Sequence, residues 1–254
     1  MILDKFKLDG KVGIVTGCAT GLGQAMALGL AEAGADIAGV YNTHTPEVLK
    51  QKVEQMGRRF IAIQANLITI DSISMIVEKT ISEFGHLDIL INNAGIIRRS
   101  PSVEYTEKDW DDTMNVNLKS VFFLCQAAAR QFIKQGAGGK IVNIASLLSF
   151  QGGILIPPYT ASKSGVSGIT KLLANEWAKH NITVNAIAPG YIETDATEAL
   201  MKDPVRYKDI LNRIPAGRWG KPEDLQGIAV FLASESSNYL NGFTIAVDGG
   251  WLGR

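Results

Sequence analysis

The sequence predicts an α/β fold, a doubly wound parallel sheet of seven strands with helices on both faces. Three observations predict it. Short apolar runs recur along the whole chain, each run is followed by a segment of helical period, and clusters of glycine, asparagine and serine fall directly after the runs. Parallel strands covered on both faces read as continuous apolar stretches. Their regular alternation with helices is the pattern of right-handed strand–helix–strand crossovers. At 254 residues, 46% hydrophobic and 20% charged, the chain can bury a sizeable core. No tandem repeat, low-complexity tract or Pro/Ser-rich linker divides it, so one domain over residues 1–254 is expected.

The elements follow in order. Lys11–Thr16 reads as the first strand and Gly21–Ala33 as a helix stopped by Gly34. Asp36–Tyr41 is the second strand, Pro46–Met56 a helix, and Arg59–Ala65 the third strand. Asp71–Phe84 is helical, with Asp71 as N-cap and Gly85 at its end, and Leu87–Asn92 is the fourth strand. Thr106–Lys134 holds a helical pattern, Lys140–Ala145 is a strand, and Tyr159–Lys179 is a long helix. Thr183–Ala188 is the sixth strand. Helical pieces around Pro204–Asn212 and Pro222–Ala233 precede the last, Thr244–Val247.

Composition excludes several classes. The 25 basic and 25 acidic residues balance, and no basic block speaks for nucleic acid. Cys18 and Cys125 stand far apart without a Cys/His cluster, so neither disulfide nor metal is expected. His44, His86 and His180 lie in polar turns or helix ends and read as solvated. No apolar run is long enough to span a bilayer and the N-terminus has no apolar signal core. The expectation is a cytoplasmic protein with no membrane partner.

Sheets of this kind bind ligands at the carboxyl ends of their strands, and the chemistry-bearing residues lie there. After the first strand, Gly17, Gly21 and Gly23 have the spacing Gly-x-x-x-Gly-x-Gly. Such glycines allow a tight turn and let a pyrophosphate approach the amides that open a helix. After the fourth strand comes Asn92-Asn93-Ala94-Gly95, small and amide-rich. Asn117 interrupts a helical pattern, where a side chain that competes for backbone hydrogen bonds suits a local bend or a bound water, or simply an exposed helical position. Ser146 follows the fifth strand, and no His/Asp partner at suggestive spacing makes it a hydrolase nucleophile. Tyr159 and Lys163 are four residues apart and share one helix face. A cation beside a phenol lowers its pKa and makes it a proton donor and acceptor.

Taken together, the ordered set Gly17/Gly21/Gly23, Asn92–Gly95, Asn117, Ser146, Tyr159/Lys163 and Pro189-Gly190 resembles the short-chain dehydrogenase/reductase family over nearly the whole chain. The resemblance implies a Rossmann-type fold and hydride transfer between an alcohol carbon and a nicotinamide cofactor. It assigns Tyr159 as general acid/base and Ser146 as holder of the substrate oxygen. Lys163 would lower the pKa of Tyr159 and bond the nicotinamide ribose, and Asn117 would anchor a proton-relaying water. Beyond the glycines, it implies dinucleotide contacts from Leu22, Tyr41, Asn42, Asn66, Leu67, Asn93, Ala94, Gly95, Pro189, Gly190, Ile192 and Thr194. Residues 193–220 correspond to the family's substrate lid.

The end of the second strand, Tyr41-Asn42-Thr43, departs from the family's usual aspartate. No Lys or Arg occurs between Lys11 and Lys50 to meet the extra phosphate of NADP. NAD is therefore expected over NADP, because a phosphate without a positive partner is costly to bury. Stretches such as Asn92–Arg99, Ser149–Gly153, Ala174–Asn181, Ile214–Gly220 and Ala246–Trp251 resemble members that act on sugar acids. Arg98 and Arg99, just after the Asn-Asn-Ala-Gly turn, are candidates to grip a substrate carboxylate, and Gln151 a substrate hydroxyl. Arg218 and Trp219 are further candidates for the pocket. The resemblance also implies a homotetramer. Apolar residues of Ser120–Phe132 and the small residues Ala161, Gly165 and Gly168 suit either association or an internal core. Three alternatives share the fold: a gluconate 5-dehydrogenase-like enzyme, an NADPH-dependent 3-oxoacyl-thioester reductase, and a dinucleotide-sensing scaffold that would need no proton relay.

Overall fold

Seven parallel strands form one sheet in the order β3-β2-β1-β4-β5-β6-β7 in the computed structural model, which describes residues 1–254. The strands are β1 Val12–Thr16, β2 Asp36–Tyr41, β3 Phe60–Gln64, β4 Ile89–Asn92, β5 Gly139–Ile144, β6 Ile182–Pro189 and β7 Thr244–Val247. Every residue of β1, β4 and β6 is buried, as their unbroken apolar character requires. The helices are α1 Gly21–Glu32, α2 Glu47–Gln55, α3 Ile73–Phe84, α4 Glu107–Met114, α5 Ser120–Gln135, α6 Pro157–Trp177, α7 Glu198–Met201, α8 Pro204–Arg213 and α9 Gln226–Ala233. No helix is long and apolar enough to cross a membrane.

The sheet divides the core. On one side α3, α5 and α6 contribute Ile76, Leu124, Phe132 and Leu173; on the other α1, α2 and α9 contribute Met26, Leu30, Leu49 and Leu232. Burying each such side chain stabilises the fold by roughly 1.5–3 kcal/mol. A third, smaller cluster joins Leu147, Ile210, Ile214, Trp219 and Trp251, outside the sheet and above the carboxyl end of β6.

Strand boundaries match the sequence expectation to within two residues, and three helices differ for identifiable reasons. Helix α3 begins at Ile73 with Ser72, not Asp71, at the N-cap position, and the Ser72 hydroxyl donates to the Asn66 carbonyl at 3.2 Å. Helix α6 begins two residues early because Pro157 sets the first helical φ and has no amide to leave unpaired. The expected helix over 106–134 is two helices joined by a single π-turn, Asn115–Lys119. Neither the short 3₁₀ turn Ile2–Phe6 nor α7 has a counterpart in the sequence pattern.

Helix α5 turns Val121, Leu124, Ala128 and Phe132 into the core, and Gly165 of α6 lies where a Cβ would press on Leu118 at 2.8 Å. Gly168, by contrast, is exposed, and a Cβ there would meet nothing within 4 Å.

Candidate active site

The strand order reverses between β1 and β4, which opens a crevice at their carboxyl ends. The Thr16 hydroxyl accepts from the amides of Asn93 and Ala94, both at 3.0 Å, and Asn93 Nδ2 donates to the carbonyls of Thr16 and Gly17, both at 3.0 Å. These bonds clamp the glycine turn onto the end of β4. Gly17 and Gly21 take φ values of +63° and +55°, which side-chain-bearing residues rarely adopt. A Cβ on Gly23 would collide with the Gly17 carbonyl and the Asn93 amide. Thr20 makes no side-chain cap, so the first amides of α1 face the crevice without a side-chain partner. A helix start opened by glycines in this way is a cradle that an anionic group could occupy, and Leu22 lies in its first turn.

Around the cradle, Tyr41 ends β2 and Asn42 follows it, with the Asn42 carbonyl accepting from Gln64 Nε2 at 3.0 Å. Asn66 is exposed beyond β3, and its Oδ1 accepts from the Ile68 amide at 3.0 Å, with Leu67 buried between them. Pro189 closes β6. Gly190 follows, at a point where a Cβ would strike the Asp248 backbone at 2.6 Å. Ile192 pairs in parallel with Gly220, and the methyl of Thr194 lies 3.6 Å from where a Cβ on Gly21 would stand. The start of the expected lid thus rests on the glycine turn.

Asn117 is fully buried in the π-turn. Its Oδ1 accepts from the Ile96 amide at 2.8 Å and its Nδ2 donates to the Ile96 carbonyl at 2.9 Å. The irregularity there is a π-turn, and the two-way bond ties it to the loop after β4. A π-turn is a frequent mark of a functional site. Ser146 caps a short turn, Leu147–Ser149, by accepting from the Leu148 amide at 3.2 Å, which leaves its own proton free to donate.

Lys163 is buried, and its ammonium donates to the Ile144 carbonyl at 2.6 Å, 5.6 Å from the centre of the Tyr159 ring. Burial lowers its pKa to about 8. Burial acts on Tyr159 in the opposite sense and pushes the phenol up, while the Ser146 hydroxyl and then the Arg99 guanidinium pull it back. Lys163 is not among the groups that act on the phenol here. The ammonium is spent on a main-chain carbonyl and its own charge is disfavoured by burial.

The two arginines part company. Arg98 is held by Asp109 and Asp112, both at 3.1 Å, and Lys108 also bonds Asp112, so Arg98 is an anchor of α4. Arg99 reaches across to the Ala196 carbonyl at 3.1 Å and is close enough to Tyr159 to act on its pKa. Gln151 stands at the end of the Ser146 turn, with its Oε1 on Trp251 Nε1 at 3.1 Å. Arg218 and Trp219 do not reach the crevice. Arg218 makes a bidentate pair with Asp224 at 2.7 and 2.8 Å, which holds that carboxyl down at about 2. Trp219 is buried in the third cluster, stacked on Tyr207.

Sequence reasoning missed the supporting groups. Asn92 Nδ2 donates to Asn143 Oδ1 at 2.9 Å, and Asn143 Nδ2 to Thr170 at 3.0 Å, a buried chain that ties β4, β5 and α6 behind the site. An Asn inside an otherwise apolar β5 run is the one signal that could have found it. Leu155, at φ +66°, accepts from the Ser100 amide at 2.9 Å and links the Ser146 loop to the arginine loop.

The family model described as enoyl-(acyl carrier protein) reductase matches residues 17–252. A relative from Dickeya dadantii named 2-dehydro-3-deoxy-D-gluconate 5-dehydrogenase is 65% identical over all of both chains. A crystal structure from Agrobacterium tumefaciens with bound NADP is 51% identical, with a TM-score of 0.93 over 98% of this chain and 99% of that one. A Burkholderia cenocepacia gluconate 5-dehydrogenase in complex with NADP and tartrate has a TM-score of 0.93 at 39% identity over 100% of both. With the glycine cradle, the Asn117 π-turn and the Ser146/Tyr159/Lys163 group in place, the chain belongs to the short-chain dehydrogenase/reductase family and is an oxidoreductase acting on a CH–OH group.

Proposed function

We propose that this chain interconverts a secondary alcohol and a ketone on a sugar acid, with NAD(H) as cofactor. The most specific form of the reading is interconversion of 2-dehydro-3-deoxy-D-gluconate and 3-deoxy-D-glycero-2,5-hexodiulosonate, in the breakdown of uronate polysaccharides such as pectin. The carrying observation is Arg99. It is an exposed guanidinium beside Tyr159, and its one bond within the protein is to a carbonyl, so it has donors left for a carboxylate. The 65% identical relative named for that substrate supports the same reading.

When bound, the dinucleotide supplies the hydride acceptor and donor. The residues that would hold it are the glycine turn with Leu22, the β2 and β3 ends at Tyr41, Asn42, Asn66 and Leu67, the turn Asn93–Gly95, and Pro189, Gly190, Ile192 and Thr194. Tyr159 takes the hydroxyl proton in oxidation and returns it in reduction. Ser146 donates its free proton to the substrate oxygen and fixes that atom against the phenol. Asn117 holds the loop after β4 against α6 and would anchor the water that carries protons from Lys163 outward. Arg99 grips the carboxylate.

The choice of NAD rests on the chain between Lys11 and Lys50, which offers no cation to an added phosphate. It runs against the NADP bound in the Agrobacterium and Burkholderia structures, so the test is direct. A panel of sugar acids, neutral ketones and 3-oxoacyl thioesters is assayed with each cofactor. The expected outcome is sugar-acid turnover with kcat/KM at least about tenfold higher for NAD, the penalty for one phosphate without a charged partner. Turnover confined to thioesters with NADPH would replace this reading. Arg99→Ala should raise KM for the carboxylate substrate about 10–100-fold, while Arg98→Ala should leave it nearly unchanged. Equal effects from the two would remove the clamp.

A further inference from the structure

The C-terminal Trp251 touches two parts of the site at once. Its indole nitrogen donates to Gln151 Oε1 at 3.1 Å, and the Arg213 guanidinium, at the end of lid helix α8, lies 4.0 Å from the ring centre. Tyr191 packs on the same ring at 4.6 Å. The tail is itself held in shape. Asp248 accepts from the amides of Gly250 and Leu252, both at 2.9 Å, and Arg254 donates to the Asn212 carbonyl at 3.2 Å.

An indole N–H can only donate, so it dictates which end of the Gln151 amide faces it. The oxygen must point to Trp251, and the NH₂ group points away with no hydrogen bond inside the protein. Gln151 closes the turn that begins at Ser146, its main-chain amide donating to the Leu147 carbonyl at 3.1 Å. The same turn is bonded to the far side of the site, because the Ser149 hydroxyl donates to the Lys163 carbonyl at 2.6 Å. The Gln151 side chain is therefore carried on a segment tied to both Ser146 and Lys163.

We infer that Trp251 is a positioning residue that locks Gln151 as a pure hydrogen-bond donor toward an oxygen of the substrate, a hydroxyl or carboxylate oxygen that must accept. This deepens the sugar-acid reading and rests on it. A freely rotating glutamine would serve donors and acceptors alike. A locked one selects oxygens with lone pairs to offer and rejects a substrate that presents an N–H or an apolar group there.

The test is a double-mutant cycle on the full-length enzyme, with KM and kcat for a sugar acid and the Kd for NADH measured in each variant. Trp251→Phe keeps the aromatic packing and removes only the N–H. It should raise KM about tenfold with kcat within about twofold and NADH affinity unchanged, the signature of weakened substrate binding. Gln151→Met should do the same, and the double variant should be no worse than Gln151→Met alone. Unaltered KM in Trp251→Phe, or single effects that multiply in the double variant, overturns the assignment. Should Trp251→Phe not fold, Gln151→Glu decides, since it keeps an acceptor for the indole while removing both donors; unaltered KM there overturns it too. Wild-type turnover is measured first, so its absence on sugar acids counts against the substrate reading and not against Trp251.

Discussion

In the proposed mechanism the half-buried Tyr159 and the buried Lys163 carry the proton chemistry, and desolvation acts on the two in opposite directions. Turnover should fall by roughly 10²–10⁴-fold in Tyr159→Phe while NADH still binds, measured by steady-state rates and fluorescence titration. The sign for Lys163 follows from its folded pKa of about 8, below its ordinary 10.5. Below pH 8 the charged ammonium is buried at full cost, and between pH 8 and 10.5 the unfolded chain holds a proton that the folded one has shed. Stability from this group therefore rises with pH across that window. Lys163→Met should accordingly gain stability relative to wild type at pH 7, by on the order of 3 kcal/mol at 1.36 kcal/mol per unit, and the gap should narrow towards pH 10.5. Urea denaturation across pH 7–10.5 checks it. The sequence made the pair legible through its i, i+4 spacing. It could not show where the ammonium points, because the Ile144 carbonyl comes from a strand nineteen positions away.

At the scale of elements, the π-turn at Asn115–Lys119 is the feature on which the site's geometry turns. It inserts one residue into what would be a single helix, and each residue of an α-helix advances about 100°. Deleting Leu118 should restore a continuous helix, rotate α4 against α5, and take either Asn117 away from Ile96 or Leu124 and Phe132 out of the core. The expected result is loss of cooperative unfolding or of all turnover, read by thermal denaturation and assay; a deletion variant with wild-type values for both would contradict it. Asn117 announced the irregularity because asparagine is poor in helix interiors. Its type was not legible, since the Ile96 backbone that captures the amide lies 21 residues earlier. The Arg98/Arg99 pair shows the same limit. Adjacent and chemically identical, they are sorted only by the acids of α4, which fold back beside one of them.

For the molecule as a whole, the seven parallel strands and the gathering of the chemistry-bearing residues at their carboxyl ends followed from pattern, because strands that alternate with helices pair in parallel through crossovers; the order β3-β2-β1-β4-β5-β6-β7 is a finding of the structure. The lid region was legible as helical pieces between prolines and glycines. That it shares a core with the C-terminal tail was not, since Trp251 meets Tyr191 and Arg213 only once the chain has closed on itself. The homotetramer is a proposal at this scale. Leu172 of α6 and Phe243 beside edge strand β7 are half exposed on neighbouring segments, where Ser167 and Thr244 bond at 3.0 Å. Light scattering should give a mass four times the 27.4 kDa of the chain, and a monomer mass would remove the proposal. The third cluster has one more consequence, which is optical. Of the four tryptophans, Trp110 is 41% exposed on α4 and Trp177 ends α6, whereas Trp219 and Trp251 both lie in the lid's own core, against Tyr191 and Tyr207. Half of the molecule's indole fluorophores thus sit in one small cluster packed on residues of the 193–220 segment, so a rearrangement of that segment on ligand binding should change the emission without any label.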